Sequence, residues 1–198
     1  MALNTLLIDE YATIHAKSAW GGSSIKNLPY LIPHLEALQP RSVIDYGCGK
    51  SPLIDALPIS SIETRARYDP AIPEYAERPD GAFDLLINID VLEHIPEEDL
   101  DDVIAEMRNL ANDAIIVVDT KPAELVLADG RNAHISLHPH EWWQARLSHH
   151  FGSLYPIRMR RSGRAAFRTW PLRPGEPFKL IWKYWSARLG FSKHNYGS

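Results

Sequence analysis

Val43-Ile44-Asp45-Tyr46-Gly47-Cys48-Gly49-Lys50 is a short apolar run that meets an acid and then passes into two closely spaced glycines. A strand that stops in a glycine turn suits a nucleotide-type ligand, and three readings compete. A P-loop would need glycine at position 44 to match Gly49-Lys50-Ser51, and Ile44 stands there. A dinucleotide fingerprint fits Gly47 and Gly49 but needs a third glycine where Pro52 lies. The remaining reading uses the acid. Asp45 at the strand end would repel a pyrophosphate and attract an ammonium, directly or through water, while the glycines let the backbone come close.

Outward from this turn, apolar period and punctuation place further elements. Leu28 to Leu38 carries Leu28, Leu31, Ile32, Leu35 and Leu38 at helical spacing, with Pro29 where a missing N–H costs little. Ser42 to Asp45, Ile62 to Asp69, Phe83 to Asp90 and Ala114 to Asp119 read as strands, the last two apolar enough to be buried on both faces. Glu97 to Leu110 and Pro139 to His150 read as helices. Ser153 to Met159 and Ala165 to Trp170 read as a strand pair at the sheet edge, and Phe178 to Leu189 as a final helix. Strands alternating with helices predict an α/β fold: a Rossmann-like, mostly parallel sheet with helices on both faces and an antiparallel edge strand. Ligands in such sheets bind beyond the carboxyl ends of the strands, which directs the search to Asp45, Asp69, Asp90 and Thr120.

Composition agrees with one globular domain. The chain has 198 residues, 45% hydrophobic and 23% charged, which excludes wholesale disorder and fibrous repeats. Its single cysteine, Cys48, allows no intrachain disulfide and suggests a reducing, cytoplasmic setting. No run of 18 apolar residues is present, and Met1 to Glu10 lacks the basic start of a secretory leader. Charge is unevenly spread. Residues 1–155 carry 11 basic and 24 acidic side chains, whereas residues 156–198 carry 10 basic side chains and one acid, Glu176. The expected organisation is an N-terminal helical or lid segment (1–40), a central domain (41–175) and a basic aromatic tail (176–198).

The ordered set of motifs resembles the class I S-adenosylmethionine-dependent methyltransferases. Asp45-Tyr46-Gly47-Cys48-Gly49 is similar to their first motif, and Asp69 follows 24 residues later at the end of the second strand. Phe83 to Leu86 and Asp90 to Ile95 are similar to the fourth strand and its following turn, and Asn132-Ala133-His134 with Glu141-Trp142-Trp143 to the late loop and helix. The resemblance covers residues 40–152 and implies S-adenosylmethionine as cofactor, whose methionine end carries an ammonium and whose sulfur is cationic. It implies that Asp45, Tyr46, Gly47, Cys48 and Gly49 hold the methionine end. Tyr68, Asp69 and Pro70 would flank the ribose, with Asp69 accepting both hydroxyls. Ile89, Asp90 and Val91 would line the reacting centre. The chain departs from the pattern in two places. Only 15 positions separate Asp69 from Asp84, and Pro70, Pro73 and Pro79 interrupt them, so the third-strand region is truncated. Pro52 replaces the third glycine, yet sits where a helix can begin, so a helix is expected to follow the turn with its N–H groups toward the ligand.

Other residues carry weaker signals. Tyr11 and Trp20 lie in a candidate lid with Gly21-Gly22 as hinge. His134, in the late loop, is the candidate base; a loop anchor is the competing reading. Cys48 reads as a small residue packed beside the cofactor, and His94 as a structural turn residue. His134, His138 and His140 are close, but Pro139 breaks helical spacing and no cysteine is near, so no metal is expected. The acceptor reads as a small molecule or glycan-type compound, because the acidic body disfavours a phosphate backbone. Three alternatives stay open: an RNA or DNA methyltransferase using the basic tail, a non-catalytic cofactor-binding interaction protein, and peripheral membrane contact through the aromatic tail. Oligomeric state is not fixed by the sequence.

Overall fold

The computed structural model describes residues 5–17, 22–159 and 162–173, together with Trp182. Helix α1 (Thr5–Lys17) leads to α2 (Leu28–Leu38), β1 (Ser42–Tyr46), β2 (Thr64–Tyr68), β3 (Phe83–Ile89), α3 (Leu100–Leu110), β4 (Ala111–Asp119), α4 (His140–Phe151), β5 (Tyr155–Pro156) and β6 (Arg164–Arg168). The strands form one sheet in the order β2-β1-β3-β4-β6-β5. β2, β1, β3 and β4 run parallel, and β6 is antiparallel to both β4 and β5. This is the mixed sheet expected from the sequence, with the antiparallel pair at one edge. Residues 174–181 and 183–198 lie outside the described residues, and with them the final helix and the basic tail.

Both faces of the central strands are apolar, as parallel strands covered on two sides require. Leu86, Ile116 and Val118 point to a core closed by Leu100, Ile104 and Met107 of α3 and by Trp143 and Leu147 of α4. The alternate residues Leu85, Ile87, Ile115 and Val117 face Leu31 and Leu35 of α2. A third, smaller cluster joins Leu7 and Tyr11 of α1 to Ala71, Leu127 and Ala133, which belong to loops beyond the strands. α1 therefore lies across the end of the sheet rather than on a face.

Sheet register at the opposite end is set by Asp84. Its Oδ2 accepts from the backbone N–H of Arg41 (2.7 Å) and Ser42 (3.1 Å), while Ser42 Oγ accepts from Asp84 N–H at 2.9 Å. Asp84→Ala is expected to cost roughly 1–3 kcal/mol by orphaning two donors, read as a lower urea midpoint with unchanged slope.

Three expectations need correction. No helix follows the glycine turn: residues 53–56 make a single turn, with Ala56 N–H donating to Pro52 and Leu53 carbonyls at 3.1 Å each. Pro58 disfavours the helical conformation at Leu57, so a turn begun at Pro52 cannot continue. The helix expected from Glu97 begins at Leu100, since Pro96 to Asp99 closes a tighter turn through Asp99 N–H to Pro96 O (2.9 Å). β4 starts three residues before Ala114, at Ala111, directly after α3 ends. The truncated region is as expected: among the described residues only a 3-10 turn, Pro73–Tyr75, lies between β2 and β3.

Candidate functional site

The glycine turn owes its shape to the end of β2. Tyr68 carbonyl accepts from the N–H groups of Gly47 (2.7 Å) and Cys48 (3.2 Å), and Asp69 Oδ2 accepts from Gly49 N–H at 2.8 Å. The other oxygen of Asp69 accepts from Ala71 N–H (2.9 Å), and Asp69 N–H donates to Tyr75 carbonyl (3.0 Å). Asp69 is thus both a turn residue and a tie to the first strand. Gly47 takes φ +75 and Gly49 φ +50, conformations that side chains resist. At Gly47 there is also no room, because a Cβ would stand 2.4 Å from Val91 Cγ2.

Beneath this turn Asp45 is 2% exposed, and its Oδ2 has no hydrogen-bond partner. Burial, with a contribution from Asp69, raises its pKa to about 7, against the opposing pull of Arg67. A buried carboxyl with an unused oxygen is costly unless something charged comes to meet it. Cys48 is buried beside it. Desolvation, then the Asp45 and Asp69 carboxylates, push the thiol upward, which fits a packing role rather than a nucleophile.

A cavity of about 1340 Å³ opens at the carboxyl ends of β1–β4 and under α1. Of the residues singled out in the sequence, Tyr11, Tyr46, Gly47, Cys48, Gly49, Asp69, Pro70, Ile89, Asp90, Val91 and His134 line it. Asp45 and Tyr68 are not in its wall. The Tyr68 ring packs in the core against Tyr46 (centroids 5.0 Å apart), so this residue serves the site through its carbonyl. Trp20 lies outside the described residues. α1 roofs the cavity: Tyr11 Oη donates to Ala133 carbonyl at 3.2 Å and stands 3.0 Å from His94 Nδ1.

Beyond β3 the chain turns sharply at Asp90, which holds φ +59, a strained value for a side-chain-bearing residue. The Asp90 carboxylate is paired with Arg164 of β6, which also reaches Asp119 at 3.5 Å. Burial pushes Asp90 up, and Arg164 opposes that push. Next in the turn, Glu93 is fully buried; its Oε1 accepts from Asp119 N–H at 2.9 Å and its Oε2 has no partner. Burial, then the nearby Asp90 charge, hold its carboxyl well above the ordinary range. His94 follows, and burial lowers its pKa to about 3, so its ring is neutral.

His134 stands beside His94, ring centroids 4.9 Å apart and nearly perpendicular. Its Nδ1 meets the Lys121 carbonyl. A carbonyl only accepts, so Nδ1 carries the proton and Nε2 the lone pair. The histidines that follow in sequence go elsewhere. His138 pairs with Glu97 (2.9 Å) and stacks on Trp142, and His150 pairs with Asp101 (3.0 Å). Sequence reasoning missed Arg164, Asp119 and Glu93. No local pattern marks Arg164, which reaches Asp90 only because β6 pairs antiparallel with β4. Glu93 had a visible signal: an acid placed between apolar Leu92 and a histidine.

No family model and no curated protein matches the chain. Solved structures do resemble it. An O-methyltransferase family protein from Burkholderia thailandensis is similar with TM-score 0.54 and 15% identity, covering 77% of this chain and 58% of its own length. This chain therefore spans little more than half of that protein. Magnesium protoporphyrin IX methyltransferase from Synechocystis PCC 6803, with bound S-adenosylhomocysteine, gives TM-score 0.53 and 15% identity over 85% of this chain and 87% of its own. The 1,6-didemethyltoxoflavin-N1-methyltransferase of Burkholderia thailandensis, with bound S-adenosylhomocysteine, gives TM-score 0.62 and 14% identity over 83% and 86%. With its sheet order, its stapled glycine turn and these likenesses together, the chain has the fold of the class I S-adenosylmethionine-dependent methyltransferases.

Proposed function

We propose that this protein is an S-adenosylmethionine-dependent methyltransferase acting on a small-molecule or glycan-type acceptor. The observation that carries the reading is the pairing of a glycine cradle, too tight for any Cβ at position 47, with the orphaned buried carboxylate of Asp45 beneath it. That pair fits a ligand with a cationic amino-acid end. When bound, S-adenosylmethionine supplies an activated methyl group on a cationic sulfur.

The chain's own residues then bind and orient. Backbone around Gly47 and Gly49 holds the methionine end, and the Asp45 carboxylate, buried beneath that turn and outside the cavity wall, attracts its ammonium through water. Asp69 spends one lone pair of each oxygen on backbone donors and keeps others for two hydroxyls. Asp90, fixed by Arg164, and Val91 border the reacting centre. His134 Nε2 is the candidate to take the acceptor's proton, and α1 excludes water. Most of the rate gain expected here comes from holding two reactants in line.

Two features favour a small acceptor. The cavity exceeds the roughly 300–1,000 Å³ of a typical single-ligand pocket, leaving space for a second molecule. Two proteins of similar fold are named for magnesium protoporphyrin IX and 1,6-didemethyltoxoflavin. The basic residues 156–198 favour a nucleic-acid acceptor as second reading. Among the described residues no helix is long and apolar enough to cross a membrane.

Calorimetry with S-adenosylhomocysteine tests the pocket. Asp69→Ala is expected to weaken binding at least tenfold, as loss of charge-assisted bonds of about 1.5–3 kcal/mol implies; equal affinity would remove Asp69 from the site. Oligonucleotide binding that rises as salt falls would support the second reading, and its absence at low salt would end it.

A further inference from the structure

We propose that Glu93, His94 and His134 form a divalent transition-metal site opening into the same cavity. One ligand atom from each of these residues lies within 4.8 Å of the other two. The arrangement has features that ordinary packing does not call for. Glu93 is fully buried with Oε1 pinned by Asp119 N–H, which leaves Oε2 unpartnered. His94 Nδ1 lies 2.8 Å from the Ala133 carbonyl and His134 Nδ1 meets the Lys121 carbonyl. Both rings are therefore fixed in the tautomer with the lone pair on Nε2. A backbone carbonyl behind Nδ1 is the usual outer support of a metal-ligating histidine.

Two imidazoles and a carboxylate select the ion. Magnesium and calcium prefer all-oxygen sets, whereas zinc, cobalt and manganese accept this mixture and keep open positions beyond three protein ligands. Donors around a four-coordinate ion at about 2.0–2.1 Å stand roughly 3.4 Å apart, so the cluster must tighten by about an ångström. Of the three, His134 is the half-buried one and lies in the loop between β4 and α4. Asp90 takes no part, because Arg164 holds it.

The consequence for the acceptor rests on the methyltransferase reading above. Both histidines line the cavity, so the open positions face the acceptor, and the acceptor class is a hydroxyl compound. A hydroxyl bound there would lose its proton more easily, to water. The oxygen–methyl bond forms as the sulfur–methyl bond breaks. His134 would then act through the cation rather than accept the proton itself.

Cobalt(II) titration of the full chain, freed of metal and followed by visible absorption, is the test. One equivalent should produce d–d bands, and Glu93→Gln and His134→Ala should each weaken cobalt binding at least tenfold. The far-UV circular dichroism spectrum and urea midpoint of His134→Ala, measured without metal, should match wild type, which reports that the variant folds. Absence of d–d bands, or undiminished binding in either variant, overturns the site. Failure of the wild type to bind S-adenosylhomocysteine would instead overturn the methyltransferase reading and leave the cobalt result standing.

Discussion

Gly47→Ala is expected to abolish S-adenosylhomocysteine binding and to lower stability by roughly 2–5 kcal/mol. Two separate effects combine. The residue holds φ +75, which costs an L side chain about 1–2 kcal/mol. The added methyl would also lie 2.4 Å and 2.8 Å from the two Val91 methyls. Val91 is in the turn after β3, so the turns after β1 and β3 must separate, and the cavity between them changes shape. The contributions can be divided by a double variant. Adding Val91→Ala removes the clash and should return the overpacking part, about 1–3 kcal/mol, while the conformational part stays. Urea unfolding reads the stability and calorimetry the affinity. A Gly47→Ala protein as stable as wild type, with wild-type affinity, would show that this bend is not the cradle described.

Asp45→Asn should move stability and affinity in opposite directions. The native carboxyl titrates near 7, raised first by burial, whereas an unfolded Asp titrates near 3.9. Between those values the folded chain binds a proton that the unfolded chain releases. Stability therefore falls as pH rises from about 4 to about 7, by at most about 4 kcal/mol, and is flat above. Asn cannot titrate. The variant should gain on wild type across that window and remain ahead at pH 8. His94, held neutral with a pKa near 3, has the opposite slope below about 6.5. It is present in both proteins and cancels in the difference. The same variant should lose S-adenosylhomocysteine affinity, because the unused negative oxygen lies beneath the turn that would receive an ammonium. Parallel pH profiles for the two proteins would mean that Asp45 titrates as an ordinary surface acid.

Local signals in the sequence were sufficient for elements with a clear period and firm punctuation. α2 runs from Leu28 to Leu38 as its apolar spacing requires, and β3 starts at Phe83. The short stretch after Asp69 could not hold a third strand, and the structure has only a turn there. Pro52 misled, because its own position favours a helix start and the opposing effect comes from Pro58, six residues on. Long-range pairings had no local mark. Arg164 lies 74 residues from Asp90, and Glu93 and His134 are joined through loops closed by Asp119 and Lys121. His138 drew attention through its histidine neighbours alone, and a surface acid accounts for it.

The short route from β2 to β3 also leaves β2 as the outermost strand among the described residues. A bare outer strand is a template on which other chains can aggregate. Here the five-residue strand carries two arginines. Arg65 is folded back onto the carbonyls of Ile54 (3.1 Å) and Leu57 (3.2 Å), and Arg67 is paired with Asp55 and set over the Tyr75 ring. Charged side chains and short length both disfavour edge-to-edge pairing, so the shortened route leaves a brief, basic border rather than a long apolar one.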